Sequence, residues 1–327
     1  MKEIEVEAFL KPMSDGITKP ALVIGDDQAE YVLKNQKIFD GTNYINLNCM
    51  FLNEALAYKI GIYLGVPMPE VVIGKIPQEL FAADPSIRFT YKFEPGIFFA
   101  TKALKNVENN VLENYNNLRK MKKPYILRPW NTFFKEIKNK NDVAKIIAMD
   151  ILIANFDRYI NTGNILIDNE NGRKVYAIDH GHSFWGPIWN DSKRNCLGIE
   201  KVTDEYKYTF ASNIINIMRK AGACDSGIVF ASLEQHIHLE DLNNHSFKNV
   251  VLKIRNINND MIRNWCKEIP DEWYINREVQ TNYYENFIIN QKEAVGPIIQ
   301  ILADNNAFRN YRGGILEYGE FKEENLI

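Results

Sequence analysis

Two aspartates, Asp157 and Asp179, each close an apolar run, and Asn164 lies between them. The stretch Met149–Ser183 reads MDILIANFDRYINTGNILIDNENGRKVYAIDHGHS. Asp157 follows Ile151, Leu152, Ile153 and Ala154, which read as the buried end of a helix; Asp179 closes Val175–Ile178, a β-rich run that breaks at Gly181. A carboxylate delivered to the end of a buried element costs free energy unless it holds a metal, a proton or a cation. Two of them with an asparagine between, separated by a hairpin-like segment, suit phosphoryl transfer. One Asp serves the acceptor hydroxyl, while the Asn and the second Asp hold Mg²⁺.

A second constellation competes. Four of the five histidines fall into two H-x-H pairs, His180/His182 and His236/His238. On a strand each pair shares a face, so with Asp179 or Asp241 either one is compatible with a zinc hydrolase. Against this, His180-Gly181-His182 follows a strand end, where a turn is expected, and His236-Ile237-His238 is flanked by Leu233 and Leu239, as at an ordinary helix end or loop. The four cysteines, Cys49, Cys196, Cys224 and Cys266, are scattered without zinc-knuckle or redox spacing, as reduced thiols of a cytoplasmic protein would be. Trp185 and Trp189 after the DHG run read as lobe-packing aromatics, with a substrate platform as the alternative.

The elements that must position these residues divide the chain by texture. Residues 1–100 are strand-rich: Ile4–Phe9 alternates, Ala21–Gly25 is apolar, and Glu30–Lys34 alternates again after the turn Gly25-Asp26-Asp27. Asn48–Leu64 switches to helical period through Leu52, Leu56, Ile60 and Leu64, and ends at Gly65 with Pro67 and Pro69 beyond. Val71–Ile73 and Ile97–Ala100 read as further strands. Past residue 100 comes a polar stretch at Asn106–Lys123, expected as an exposed helix or inserted loop. A helix follows over Asp142–Phe156, a mostly helical pattern runs from Tyr206, and the clearest late helix is Phe287–Ala303. The reading is an α+β fold with a strand-rich unit at 1–103 and a helix-rich unit at 104–327, each long enough to own a core.

Lys34 shares a strand face with Val32, so it either faces solvent or meets an anion. Glu54, in the middle of the following helix and one position from its apolar stripe, favours the second. A strand Lys paired with a helix Glu aims an ammonium at nucleotide phosphates. The loop Lys11–Pro20 has one glycine and so matches neither G-x-G-x-x-G nor a Walker loop. It reads either as a plain hairpin loop or as a phosphate cover using backbone N–H groups near Gly16 and the hydroxyls of Ser14 or Thr18.

Four runs in order, YVLK, LNEALAYKIGIYLGVPMPE, NFDRYINTGNILI and AIDHGHSF, resemble the HipA-like kinase family, and more distantly phosphatidylinositol kinases with their N-x-D-R loop. The resemblance spans residues 16–104 and 146–184. It implies a two-lobed protein-kinase-like fold that binds ATP and Mg²⁺, in a family that includes bacterial Ser/Thr kinases and toxins of toxin–antitoxin systems. Carried over, it implies that Lys34 contacts the α/β-phosphates and Glu54 positions it. Val32 roofs the adenine, and a hinge near Phe99–Lys102, centred on Ala100 and Thr101, bonds the adenine. Asp157 is the catalytic base, Arg158 holds the loop or neutralises phosphate, and Asp179 binds Mg²⁺. The family's Asn five residues after the base is Thr162 here, flanked by Asn161 and Asn164; Asn164 is favoured because an apolar strand follows it. Relatives also suggest control by phosphorylation of the phosphate-covering loop at Ser14 or Thr18.

The bulk properties limit partners. With 39 basic and 42 acidic residues the net charge is -3, which gives no nucleic-acid footprint. No apolar run spans a bilayer, and the first residues, MKEIEVEAFL, read as a strand rather than a leader. The expected partners are ATP, a protein or small-molecule hydroxyl acceptor, and an antitoxin-like or regulatory protein. Three activities stay open on sequence alone: a Ser/Thr protein kinase, a small-molecule or lipid kinase, and a non-catalytic ATP-binding module.

Overall fold

The alternating N-terminal residues form strands whose apolar sides converge. In the computed structural model these strands are β1 (Lys2–Pro12), β2 (Ala21–Gly25) and β3 (Glu30–Leu33), followed by a separate hairpin of β4 (Lys37–Phe39) and β5 (Tyr44–Asn46). Two more, β6 (Val71–Ile76) and β7 (Gly96–Lys102), complete a closed barrel in the order β1-β2-β3-β7-β6, with β1 parallel to β6 and the other pairs antiparallel. The structure describes residues 1–13, 18–39, 42–108, 121, 127–219 and 228–319.

Strand alternation decides what faces where. Ile4, Val6, Val23, Tyr31, Leu33 and Val72 fill the barrel. Leu22, Val32, Thr101 and Val71 stand in one row across β2, β3, β7 and β6, on the outer face. Lys34 directly follows β3 on that outer face, and its backbone N–H donates to the Phe99 carbonyl at 2.9 Å. Closure removes the free sheet edges that a strand-rich unit would otherwise expose.

The helix expected over Asn48–Leu64 is α1 (Met50–Leu64), with Leu52, Leu56, Ile60 and Leu64 all buried. Gly65 ends it in the left-handed region at φ 72°, where a side chain would be strained. A short helix, α2 (Gln78–Ala83), lies within the strand-rich part.

The rest is mainly helical. In order come α3 (Leu127–Lys135), α4 (Val143–Leu152), the single-turn α5 (Asp157–Ile160), a hairpin of β8 (Ile165–Asp168) and β9 (Lys174–Ala177), then α6 (Asp191–Leu197) and α7 (Asp204–Arg219). They are followed by α8 (Ile228–Leu233), α9 (Lys248–Arg255), α10 (Asn259–Lys267) and α11 (Arg277–Asp304). The last begins ten residues before the expected Phe287, capped by Asn276, whose side chain accepts from the Val279 N–H at 3.0 Å. It packs against α4, α6, α7, α9 and α10, which makes it the axis of the helical part. One large core joins these helices to α1 and to Val71 and Phe99 of the barrel wall.

The helix expected over Asp142–Phe156 is shorter. It stops at Leu152, and Ala154 takes φ 49°. Carbonyls at its end have partners from elsewhere: Phe184 N–H donates to Ile153 O at 2.6 Å and Gln291 to Ile151 O at 2.8 Å. Those bonds satisfy groups that another helical turn would have used. Most of the Asn106–Lys123 stretch and residues 320–327 lie outside the described residues. Among the described residues no helix is long and apolar enough to cross a membrane.

Leu33, the last residue of β3 and the neighbour of Lys34, is fully buried in the barrel. Leu33→Ala is expected to destabilise the protein by about 2–5 kcal/mol through lost transfer energy and a residual cavity. Denaturant unfolding followed by circular dichroism checks this; a loss under about 1 kcal/mol would mean the barrel collapses around the gap.

Candidate active site

Lys34 is 13% exposed at its side chain and lies between two carboxylates. Its Nζ donates to Glu54 Oε1 and, at 2.9 Å, to Asp179 Oδ1. Glu54 comes from α1, 20 positions away, and Asp179 from the turn after β9, 145 positions away. The Nζ also lies 5.9 Å from the centroid of the Phe99 ring. Burial alone would lower the Lys34 pKa, but Asp179 and Glu54 reverse this and hold it above the ordinary lysine value. Burial likewise pushes the Glu54 carboxyl up, and the Lys34 ammonium and His180 overcome it, holding Glu54 well below the usual carboxylate range.

Asp157 opens α5, the single turn after the buried end of α4. Asn164 Nδ2 donates to Asp157 Oδ2 at 2.7 Å, and Asn164 is 2% exposed. Asn161 is placed otherwise: its side chain accepts from the Gly163 N–H at 3.0 Å and serves the local turn. The Thr162 side chain lies outside the described residues.

Arg158 holds these parts together from below. It is 0% exposed, with Nε on Asp150 Oδ2 at 2.7 Å. Nη1 donates to the carbonyls of Asn164 at 2.6 Å and Ile178 at 2.9 Å, the latter being the residue before Asp179. Nη2 meets His180 Nε2 at 2.6 Å. Since a guanidinium only donates, His180 Nε2 accepts and its Nδ1 carries the proton toward Glu54. Burial and the adjacent Arg158 lower the His180 pKa, which keeps this ring neutral. The His180 backbone N–H donates to Glu54 Oε2 at 3.0 Å. Of the two roles expected for Arg158, the geometry therefore fits holding the loop and not phosphate neutralisation, because a fully buried guanidinium faces no ligand.

The residues expected around the nucleotide lie in different settings. Ala100 faces the barrel interior and is fully buried, so its side chain cannot touch a nucleotide in the cleft. Ala100 and Thr101 are also paired on both sides, with Leu33 and Val32 of β3 and with Val72 and Val71 of β6, so their backbone is engaged within the barrel wall. Thr101 does share the outer face with Val32. Thr18 is half-buried at a turn, while Ser14 and Gly16 lie outside the described residues.

The histidine pairs do not assemble a metal site. His180 is engaged with Arg158, and His236 donates from Nε2 to the Phe134 carbonyl at 2.6 Å. Among the described residues no group of three or more His, Cys, Asp or Glu side chains is arranged to hold a metal. Trp185 packs on Phe156 and Phe210, with ring centroids 5.7 and 6.0 Å away, and Trp189 on Tyr283 at 5.5 Å, as lobe-packing aromatics do. Cys49, Cys196 and Cys266 are free thiols.

Sequence reasoning missed Asp150 and Asn53. Asp150 sits inside the apolar run IIAMDIL, and a charge there is a signal of a buried partner. Asn53 sits on the buried face of α1, and nothing in the local pattern distinguishes it from a solvated Asn.

A strand-rich lobe joined to a helical lobe, with a strand lysine bonded to a helix glutamate and to the aspartate after β9, is the α+β architecture of protein-kinase-like enzymes. The chain belongs to the HipA-like kinase family, whose model matches residues 6–196, and is thus a kinase, a phosphate-transferring enzyme. Its fold is similar to the crystal structure of a Helicobacter pylori proinflammatory kinase, CtkA, at 16% identity over 91% of this chain and 98% of that one, with a TM-score of 0.50. A looser likeness, TM-score 0.42 at 10% identity, over 99% of this chain and 77% of the other, is to a Golgi casein kinase crystallised with Mn and ADP. No curated protein matches the chain.

The pKa shifts set a pH dependence. A carboxyl depressed in the folded state contributes stability that is present above its ordinary pKa and lost as pH falls through the folded value. A raised lysine contributes stability present below its ordinary pKa and lost as pH rises through the folded one. Wild-type stability is therefore expected to fall more steeply than that of Glu54→Gln as pH drops below about 5. Urea midpoints across that range check this, and parallel slopes would show that the pair adds nothing.

Proposed function

We propose that this kinase transfers the γ-phosphate of ATP, with Mg²⁺, to a Ser/Thr hydroxyl of a protein. The convergence of Lys34 on Glu54 and Asp179, beside the bonded pair Asp157–Asn164, carries the reading. The lobes divide at residues 103 and 104. Each named residue has a part that its position supports.

Lys34 has three N–H donors, of which two point to Glu54 and Asp179, so the third is free for the α/β-phosphates. Glu54 holds the ammonium in place and keeps it charged. Val32 and Thr101 form an outer-face row with Leu22 that covers the adenine, and the hinge lies where the chain leaves β7. Asp157 receives the acceptor proton. Its Oδ2 is oriented by Asn164, which leaves Oδ1 for the hydroxyl. Asp179 and the Asn164 carboxamide oxygen are hard donors, which fits Mg²⁺, a cation that takes few protein oxygens and fills its shell with water and phosphate. The metal, when bound, neutralises charge that develops on the transferred group. Arg158 fixes the relative placement of Asn164 and Ile178 and so of both proposed ligands.

Family membership supports the protein acceptor, and with it a cytoplasmic enzyme under a regulatory, antitoxin-like partner. A small-molecule or lipid hydroxyl is the second acceptor class, and a non-catalytic ATP-binding module is disfavoured because Lys34, Glu54 and Asp179 are joined by hydrogen bonds and Asp157 is present, bonded to Asn164.

With labelled ATP, Mg²⁺ and myelin basic protein, Asp157→Asn is expected to lower transfer by roughly 10²–10⁴-fold while nucleotide binding persists. Transfer unaffected by that change would remove Asp157 as the base. In the same assay Asn164→Ala is expected to raise the Mg²⁺ concentration for half-maximal rate, and Asn161→Ala to leave it unchanged. The reverse result would move the metal ligand to Asn161.

A further inference from the structure

The segment that carries Asp179 is held in a strained backbone conformation. Asp179, Phe184 and Trp185 have φ of 59°, 55° and 63°, and Gly186 has 114°. Non-glycine residues keep such angles only where their surroundings over-determine them. Besides the bonds of Phe184 to Ile153 and of His180 to Glu54 and Arg158, the segment is held by side chains on α1, α6 and α11 that take no part in the site described above.

Asn53 is fully buried on α1, immediately before Glu54. Consecutive helix residues point about 100° apart, so Glu54 faces Lys34 while Asn53 faces the segment. Its Nδ2 donates to the carbonyls of Gly181 at 2.7 Å, Ser183 at 2.9 Å and Gly186 at 3.0 Å. Its Oδ1 accepts from the Tyr284 hydroxyl of α11 at 2.6 Å and from the Lys193 ammonium of α6 at 3.2 Å. Lys193 Nζ also donates to Gly186 O at 2.6 Å and lies 5.2 Å from the Tyr284 ring centroid. Helix and segment touch so closely that a Cβ on Gly181 would come within 2.5 Å of Met50 Cγ.

Lys193 is the odd member. It is 1% exposed, and among the described residues no carboxylate pairs with it. Burial pushes its pKa down to about 7, with the thiols of Cys49 and Cys196 as its titratable neighbours. A buried lysine without a counter-ion is a costly choice for stability, since a methionine of the same length would bury without that cost. Its bonds run to Asn53, whose side chain reaches three carbonyls of the segment, and to the end of the segment itself.

We propose that Asn53, Lys193 and Tyr284 are positioning residues that latch segment 179–186 onto α1, so that Asp179 and the Lys34–Glu54 pair are set as one unit for phosphoryl transfer. The proposal rests on the reading of Asp179 as the metal ligand. None of the three contacts Lys34, Asp157 or Asp179; they act through the backbone carbonyls of Gly181, Ser183 and Gly186. Release of the latch lets the left-handed residues relax and moves Asp179.

The test is Lys193→Met, which keeps the length and removes the donor and the charge. Thermal unfolding is expected to stay at or above the wild-type midpoint. The kcat for phosphate transfer from labelled ATP to myelin basic protein is expected to fall about tenfold to a hundredfold, the scale of small misplacements of reacting groups. The Mg²⁺ concentration for half-maximal rate should rise, and backbone hydrogen exchange at residues 181–189 should quicken. Tyr284→Phe, which keeps the ring and loses one bond, is expected to act in the same direction and decides the matter if the methionine variant misfolds. A purely structural role would lower the midpoint and leave kcat per folded molecule unchanged, which overturns the proposal. So would wild-type kcat and exchange in both variants. Asp179→Ala serves as the control. If it keeps full transfer, the metal reading fails, and faster or unchanged exchange at 181–189 still supports or overturns the latch on its own.

Discussion

A guanidinium that is 0% exposed has to find partners for its donors inside the protein, and Arg158 finds them in four different places. Its ion pair with Asp150, at 2.7 Å with both side chains at most 1% exposed, ties the short turn after Asp157 to the end of α4. Its two carbonyl acceptors, Asn164 and Ile178, are the backbone of the Asn loop and the backbone before Asp179. Its fourth contact fixes the His180 ring. Leaving such a charge unpaired costs far more than any single hydrogen bond returns, so each loop that meets Arg158 has one arrangement available.

Through His180 the constraint passes on to α1, because the same residue gives its backbone N–H to Glu54. Glu54 then holds Lys34, and Lys34 reaches back to Asp179. The closed chain of contacts runs from the turn at Asp157–Ile160 to the barrel and returns without leaving the protein. The barrel's part is to pin the strand: Lys34 N–H is bonded to Phe99 O while Leu33 is buried beneath it, so the ammonium is delivered from a rigid edge. Helix α1 belongs to both ends of this arrangement, with its apolar stripe in the large core and two adjacent polar side chains, Asn53 and Glu54, on either side of the segment after Asp179.

Much of this was legible in the residues. Alternation marked β1 and β3, an apolar run marked β2, the stripe Leu52-Leu56-Ile60-Leu64 marked α1, and the order of Lys34, Glu54, Asp157 and Asp179 marked a kinase-like site. Other parts were misread for definable reasons. The place of Ala100 inside the barrel wall was not legible, because an apolar run looks the same whether its strand is central or about to leave the sheet, and pairing on both sides is a property of neighbours. Arg158 next to a proposed base read equally well as a phosphate ligand, since sequence does not say which way a side chain in a turn points. Lys193, in a short helix marked DSKRNCL, carries no signal at all for burial.

By itself the sequence determined the periodicities, the break at Gly65, and the order of the ionisable residues, because these depend on backbone preferences and side-chain types within a few positions. Tertiary structure decided that Lys34 and Asp179, 145 positions apart, share a hydrogen bond. It also decided that Asn164 rather than Asn161 lies against Asp157, and that Arg158 and Lys193 are inside. Those outcomes follow from which faces were left to pack together, and a buried polar group takes whatever partner that packing brings within hydrogen-bond reach.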